Sequence, residues 1–293
     1  MTKPIWIEAA INGPWGVERQ PGIPIAIPDI VADGIAAVEA GAAIVHLHVY
    51  DLETGRQRDD WELYAKAIEG IRAKVDAIVY PTIPIVGSGY AGEIIGSGRY
   101  THLEELARRG LVEWGVLDPG SCNWTTFDGI PSGEAGFIYQ NPGEHIREGM
   151  AVAQAHRIHP SYAIYEPGFT RLGAALAKAY PGLPTPIYRL MFSEAFAWGF
   201  PPRDWALDAH LKLLAEDAPK APVMIAGLGV DLTGLIPAAV ARGVHVRAGL
   251  EDAPFGCGRT NADLVAETVR RVEAAGGRPA SVAEVRARLK AGA

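Results

Sequence analysis

Cysteine is scarce in this chain. The two present, Cys122 and Cys257, stand far apart and form no CxxC spacing. That excludes a disulfide framework and a cysteine-based structural zinc site, and it fits a reducing compartment. Basic runs are absent too. The 27 Lys and Arg against 34 Asp and Glu leave a formal net charge of −7, with both signs scattered along the chain. Nucleic acid and anionic membrane are therefore not expected partners. The N-terminal "MTKPIWIEAAING" has too short an apolar segment for a signal peptide or a membrane span. The expectation is a cytoplasmic protein. A dinucleotide fingerprint is also missing. "AAINGPWG", after the first apolar run, lacks GxGxxG spacing, which weighs against a doubly wound open sheet.

What is present is a regular alternation. Eight short apolar runs, "IWIEAAI", "AIVHLHV", "AIVYPTI", "VEWGVLD", "YAIYE", "IYRLMF", "PVMIAGL" and "VHVRAGL", are separated by amphipathic segments. Near-continuous apolar strands indicate a sheet buried on both faces, and eight such units in one chain predict a (β/α)8 barrel. No linker divides the chain, so one domain over residues 1–293 is expected, with "GGRPASVAEVRARLKAGA" adding a C-terminal turn and helix.

Barrel enzymes place their chemistry at the C-terminal strand ends. There the sequence offers Asn12, Trp15, His46, His48, Asp51, Thr82, Asp118, Ser121, Asn123, Glu166, Arg247, Glu251 and Asp252. In "AIVHLHV" the two histidines are i and i+2 and share one face of a strand. Either they are hydrogen-bonded core residues or they share a divalent cation, which holds both rings neutral. A catalytic zinc needs a third ligand, commonly a carboxylate. Glu251 and Asp252 in "RAGLED" are the candidates, because the last strand closes beside the first. Adjacent acids in extended chain face apart, so one could bind metal while the other serves as a base. Arg247, four residues before Glu251, could equally be an ordinary ion-pair partner. The glycines of "AGLGVD", Gly227 and Gly229, could cradle a cofactor phosphate or simply make a tight turn.

The combination of "AGAAIVHLHVYDLETGR" with "GVHVRAGLED" resembles the β-keto acid cleavage enzymes. The resemblance also takes in "AAINGP", "IPDIVADGIAAVEAGA", "GSCNW", "YEPG" and "GGRPAS". It implies a zinc-dependent barrel, typically a homotetramer, that converts a β-keto acid and acetyl-CoA into acetoacetate and a new acyl-CoA. By resemblance the metal ligands fall on His46, His48 and Glu251, the catalytic carboxylate on Asp252, its arginine on Arg247, and a substrate-holding hydroxyl on Thr82.

Some positions depart from the family pattern. Trp15 stands where a characterised type has an acid, Tyr50 where arginine is frequent, and Val116 and Asp118 where threonine and asparagine are frequent. "PTIPIVGSG" and "SEAFAWGFPP" replace glycine-rich loops. The changed wall points to a larger apolar substrate, or to a quaternary ammonium substrate with Trp15 as a cation–π face and Asp118 as its counter-charge. The altered loops keep open an alternative, a zinc-dependent C–C lyase or hydrolase acting on a keto acid without CoA.

Overall fold

A computed structural model describes residues 2–85 and 98–291. Residues 86–89 of the "PTIPIVGSG" segment lie outside the described residues. The eight apolar runs supply eight parallel strands: β1 (Ile7–Ala10), β2 (Ile44–Leu47), β3 (Ile78–Pro81), β4 (Trp114–Val116), β5 (His159–Ile164), β6 (Ile187–Phe192), β7 (Val223–Gly227) and β8 (His245–Ala248). A helix follows each: α1 (Ile27–Glu39), α2 (Trp61–Arg72), α3 (Thr101–Arg108), α4 (Gly143–His156), α5 (Pro167–Ala179), α6 (Asp204–Asp217), α7 (Ile236–Arg242) and α8 (Asn261–Ala274). A last helix, α9 (Val282–Lys290), ends the described chain.

The strands run in the order β3-β2-β1-β8-β7-β6-β5-β4. The sheet curls so that β3 and β4 pack side by side, although no ladder joins them among the described residues. The result is a (β/α)8 barrel with one seam. The C-terminal helix ties that seam from below. Arg286 of α9 reaches Asp76, just before β3, at 2.9 Å, and Glu113, just before β4, at 2.8 Å. Ahead of α9, Gly277–Pro279 pairs in parallel with Lys3–Ile5, so the two ends of the chain meet beneath the barrel.

Local chemistry sets several boundaries. Asp60 caps α2 by accepting the Glu62 N–H, and Thr260 with Asp263 and Ser281 with Glu284 form capping boxes at α8 and α9. The sequence pattern leaves one feature unread. After β4 an antiparallel hairpin, Cys122–Trp124 with Phe137–Tyr139, folds over the C-terminal mouth. No helix among the described residues is long and apolar enough to cross a membrane.

Register decides what the barrel encloses. His46 of β2 is level with Ala10 of β1 and Tyr80 of β3, and Arg247 of β8 is level with Glu8 of β1. Side chains paired at one level face the same way. The interior is therefore polar at mid-height. Glu8, His46, Tyr80, Ser161, Arg189 and Arg247 are all buried there.

Candidate metal centre and active site

His46 is the penultimate residue of β2 and His48 lies just past its end, and both rings turn toward the chain that leaves β8. Two glycines let that chain come close. Gly249 has φ +139°, and a Cβ there would sit 2.1 Å from the Ala10 carbonyl oxygen. Gly13 has φ +83°, and a Cβ there would collide with the Glu251 side chain at 2.5 Å. The Glu251 N–H then bonds the Ala10 carbonyl at 3.2 Å. Its carboxylate Oε2 comes 3.5 Å from His46 Nε2 and 3.6 Å from His48 Nε2.

These three side chains fit a divalent cation. All are buried, and their ligand atoms lie within 4.8 Å of one another. Glu251 Oε2 and His48 Nε2 have no hydrogen-bond partner, a costly condition for buried polar atoms unless something sits between them. His48 Nδ1 meets Gln57 Oε1 at 2.8 Å. The amide nitrogen of Gln57 is committed to both Asp59 oxygens, at 2.8 and 2.9 Å. Its oxygen therefore faces the imidazole, Nδ1 carries the proton, and Nε2 presents a bare lone pair. Tyr64 donates to Asp59 from behind at 3.0 Å. Asn12 fixes the backbone at the same point, accepting the His48 N–H at 2.8 Å and donating to its carbonyl at 3.0 Å.

Charge gives a second sign. Burial is the largest influence on the His46 ring, and it lowers its proton affinity well below the usual value despite Glu251 nearby. Burial pushes the Glu251 carboxyl up, but Arg247, His46 and His48 together hold it well below the ordinary range. Four buried carboxyl groups, Glu8, Asp118, Glu251 and Asp252, share the barrel interior and its C-terminal end with two guanidinium groups, Arg189 and Arg247. A divalent cation would balance that excess.

Asp252 turns away from Glu251. Arg247 grips it with both sides of its fork, Nε to Oδ2 at 3.0 Å and Nη2 to Oδ1 at 2.5 Å, and the Gly227 N–H adds a bond to Oδ2 at 3.0 Å. Burial outweighs these bonds and raises the Asp252 pKa to about 6. Arg247 Nη2 also lies 3.0 Å from Glu251, and its Nη1 lies 3.6 Å from Glu8. Tyr80 holds Glu8 through its hydroxyl at 2.7 Å, and its ring packs on His46 with centroids 4.8 Å apart.

The other expected residues fall into place with differences. Thr82 lines a cavity of about 30 Å³ that the three ligand residues also border. Trp15 donates its indole N–H to the Glu251 carbonyl at 2.8 Å, and its ring joins Trp124, Phe196 and Phe255 in an aromatic cluster over the mouth. Asp118 is not free to act as a counter-charge. It accepts the Tyr139 hydroxyl and the Ala163 N–H, each at 2.6 Å, and Arg189 stands 3.8 Å away. Burial raises its pKa against these partners. The Gly227 N–H is spent on Asp252. Gly229 has φ +62°, and a Cβ there would meet Ala195 at 2.8 Å, so packing accounts for this glycine. A second cavity of about 240 Å³ lies between β8, α7 and α8, with Thr233, Arg247, Asp252 and Arg259 on its wall. Both cysteines are free thiols.

Sequence reasoning did not single out Gln57, Asp59, Glu8, Tyr80 or Arg189. For Glu8 and Arg189 a signal existed, a charged residue within a strand otherwise apolar, in "IWIEAAI" and "IYRLMF".

Comparison with known proteins bears on this geometry. A sequence model of the beta-keto acid cleavage enzyme family matches residues 4–290. The chain is 29% identical over 300 residues to the 3-oxoadipate:acetyl-CoA acetyltransferase of Cupriavidus necator, covering 99% of this chain and 95% of that protein. It is 26% identical over 309 residues to the 3-dehydrocarnitine:acetyl-CoA trimethylamine transferase of Rhizobium meliloti, covering 99% and 97%. It is 28% identical over 294 residues to the 3-keto-5-aminohexanoate cleavage enzyme of Fusobacterium nucleatum, covering 98% and 97%. Among solved structures, the binary complex of ObcA with oxaloacetate shares the fold, with a TM-score of 0.69 at 15% identity over 92% of this chain and 67% of that one.

Proposed function

We propose a reaction from one premise: the chain belongs to the beta-keto acid cleavage enzyme family. The reading is a zinc-dependent transfer in which a β-keto acid and acetyl-CoA become acetoacetate and a new acyl-CoA. The observation that carries it is the pairing of a His46–His48–Glu251 group that could hold a metal with a separate buried carboxylate, Asp252, gripped by Arg247. Relatives with near-complete coverage are named for acetyl-CoA-dependent reactions of keto acids.

A zinc ion held by His46, His48 and Glu251 would supply Lewis acidity to the keto oxygen. Gln57 keeps His48 in the tautomer that presents Nε2. Asp252 takes a proton from the carbon between ketone and carboxylate. Its pKa, raised by burial to about 6, leaves it ionised at neutral pH and more basic than an exposed aspartate. Arg247 holds both Asp252 oxygens and fixes the direction of that transfer. The carbon so activated attacks the acetyl thioester, and CoA thiolate leaves. The thiolate then attacks the original keto carbonyl, the C–C bond breaks to give the acyl-CoA, and the carbanion of acetoacetate takes the proton back from Asp252. Trp15, Trp124 and Phe196 close the mouth against water. The 240 Å³ cavity reaches Asp252 from the side of β8 and α7. In this reading acetyl-CoA approaches there, while the keto acid occupies the metal side. By family resemblance the working form is a homotetramer.

The test is proton exchange without acetyl-CoA. In deuterated buffer the zinc-loaded protein should accelerate deuterium uptake at C2 of a β-keto acid above the spontaneous rate. Asp252→Asn should abolish the acceleration while keeping its zinc. Equal acceleration by Asp252→Asn would remove Asp252 from the reaction.

A further inference from the structure

Arg189 has no part in the reaction as described, yet its position is costly. It stands in mid-strand on β6 at 2% exposure. A guanidinium carries five N–H donors. Among the described residues Arg189 makes one hydrogen bond, a long one of 3.3 Å from Nη2 to the Ser161 carbonyl, and its Nε has no partner. The nearest carboxylate oxygen, Asp118 Oδ1, is 3.8 Å away and already accepts the Ala163 N–H. The neighbouring Tyr80 hydroxyl is committed to Glu8. A buried cation so poorly satisfied is kept only where an anion completes it.

The place of this cation identifies the anion. Arg189 borders the same small cavity as His46, His48, Glu251 and Thr82, and it is the one arginine or lysine on that wall among the described residues. The same wall sets this cation beside the three residues that could hold a metal, where the acid end of a keto acid would lie. The opposite, outer side is aromatic, with Trp124, Tyr139 and Tyr165 on the lining. We propose that Arg189 is the anchor for the carboxylate of the keto acid, so that the acid end points to the floor of the barrel and the acyl chain to the aromatic mouth. The proposal rests on the keto-acid reading above. It makes Arg189 a binding residue that selects β-keto acids over uncharged β-dicarbonyl compounds. Arginine suits this role because its planar fork meets both oxygens of a carboxylate.

The test is equilibrium titration of the zinc-loaded protein with acetoacetate and with acetoacetamide, a neutral compound of the same shape. Wild type should prefer acetoacetate by about tenfold to a hundredfold. In Arg189→Gln the preference should fall to about threefold or less, with acetoacetamide binding little changed. Arg189→Lys should keep part of the preference. The double variant Arg189→Gln/Asp118→Asn removes both members of the buried pair, guards against a folding defect from an unpaired Asp118, and should show the same loss as the single variant. Full preference retained in Arg189→Gln would overturn the proposal, because the metal side alone would then read the carboxylate. Equal weakening of both compounds would also overturn it, by making Arg189 a structural residue. Failure of wild type to bind either compound while holding zinc would overturn the keto-acid reading itself, and this proposal with it.

Discussion

Replacing Gln57 by leucine should weaken metal binding without touching a ligand. Gln57 accepts from His48 Nδ1 at 2.8 Å and donates to Asp59 at 2.8 and 2.9 Å. Leucine has similar bulk and neither group. His48 loses the acceptor that selects its tautomer and fixes its ring, and partners of this kind are worth about 10- to 100-fold in metal affinity. That is about 1.4–2.7 kcal/mol. Asp59 keeps only the Tyr64 hydroxyl, at 3.0 Å, so stability should fall as well, by about 1–3 kcal/mol for the lost buried bonds. The two effects separate experimentally. Competition with a chromophoric chelator reads zinc affinity on protein shown to be folded, and urea unfolding of the metal-free protein reads stability. Zinc affinity within about twofold of wild type would refute the reasoning, since the ring orientation would then not depend on this chain of bonds.

Three further outcomes are expected. Glu8→Gln removes the negative charge beside Arg247 Nη1 and keeps an oxygen that can accept from Tyr80, so urea unfolding should show a loss of about 3 kcal/mol for a broken buried charge pair, with zinc content unchanged. Thr233→Trp on the wall of the 240 Å³ cavity should raise KM for acetyl-CoA severalfold and leave KM for the keto acid unchanged; the reverse pattern would place the co-substrates the other way round. His210 is buried between Phe192 and Phe200 with both ring nitrogens unpartnered, and burial lowers its pKa to about 4. The unfolded ring, with a pKa of about 6.5, binds a proton that the native ring refuses. Stability should therefore be fully present above about pH 6.5 and fall as pH drops toward 4. His210→Phe should reduce that fall by up to about 1.4 kcal/mol per pH unit below about pH 6, measured by urea unfolding between about pH 4.5 and 6.

The barrel was legible because its strands are buried on both faces. Eight short apolar runs alternating with amphipathic segments leave few other folds, and each run became a strand. The group that could hold a metal was legible in part for a related reason. His46 and His48 interrupt an apolar run at i and i+2, which offered two readings, hydrogen-bonded core residues or a shared cation. The closure of β8 on β1 left Glu251 and Asp252 both as candidates, and the family resemblance pointed to Glu251. The partners of these residues were not legible, because tertiary packing chooses them. Gln57 lies in a loop and looks like any solvated glutamine until the fold brings it to His48. Asp118 reads as a free acid at a strand end until the hairpin delivers the Tyr139 hydroxyl to it. Gly227 reads as a phosphate cradle until Asp252 takes its N–H. Glu8 and Arg189 share one lesson. A lone charge in a buried strand needs a partner, and sequence shows the need without showing who meets it.

The measurement that tests the central claim most directly is product formation by the zinc-loaded protein. It would be supplied with acetyl-CoA and a panel of neutral, acidic, amino and trimethylammonium β-keto acids, with mass spectrometry reading the CoA esters. Acetoacetate and a matching new acyl-CoA should form in equal amounts from at least one substrate, with both absent in Asp252→Asn. Keto-acid cleavage that proceeds equally well without acetyl-CoA, or no acyl-CoA across the panel from protein shown to hold zinc, would contradict that claim.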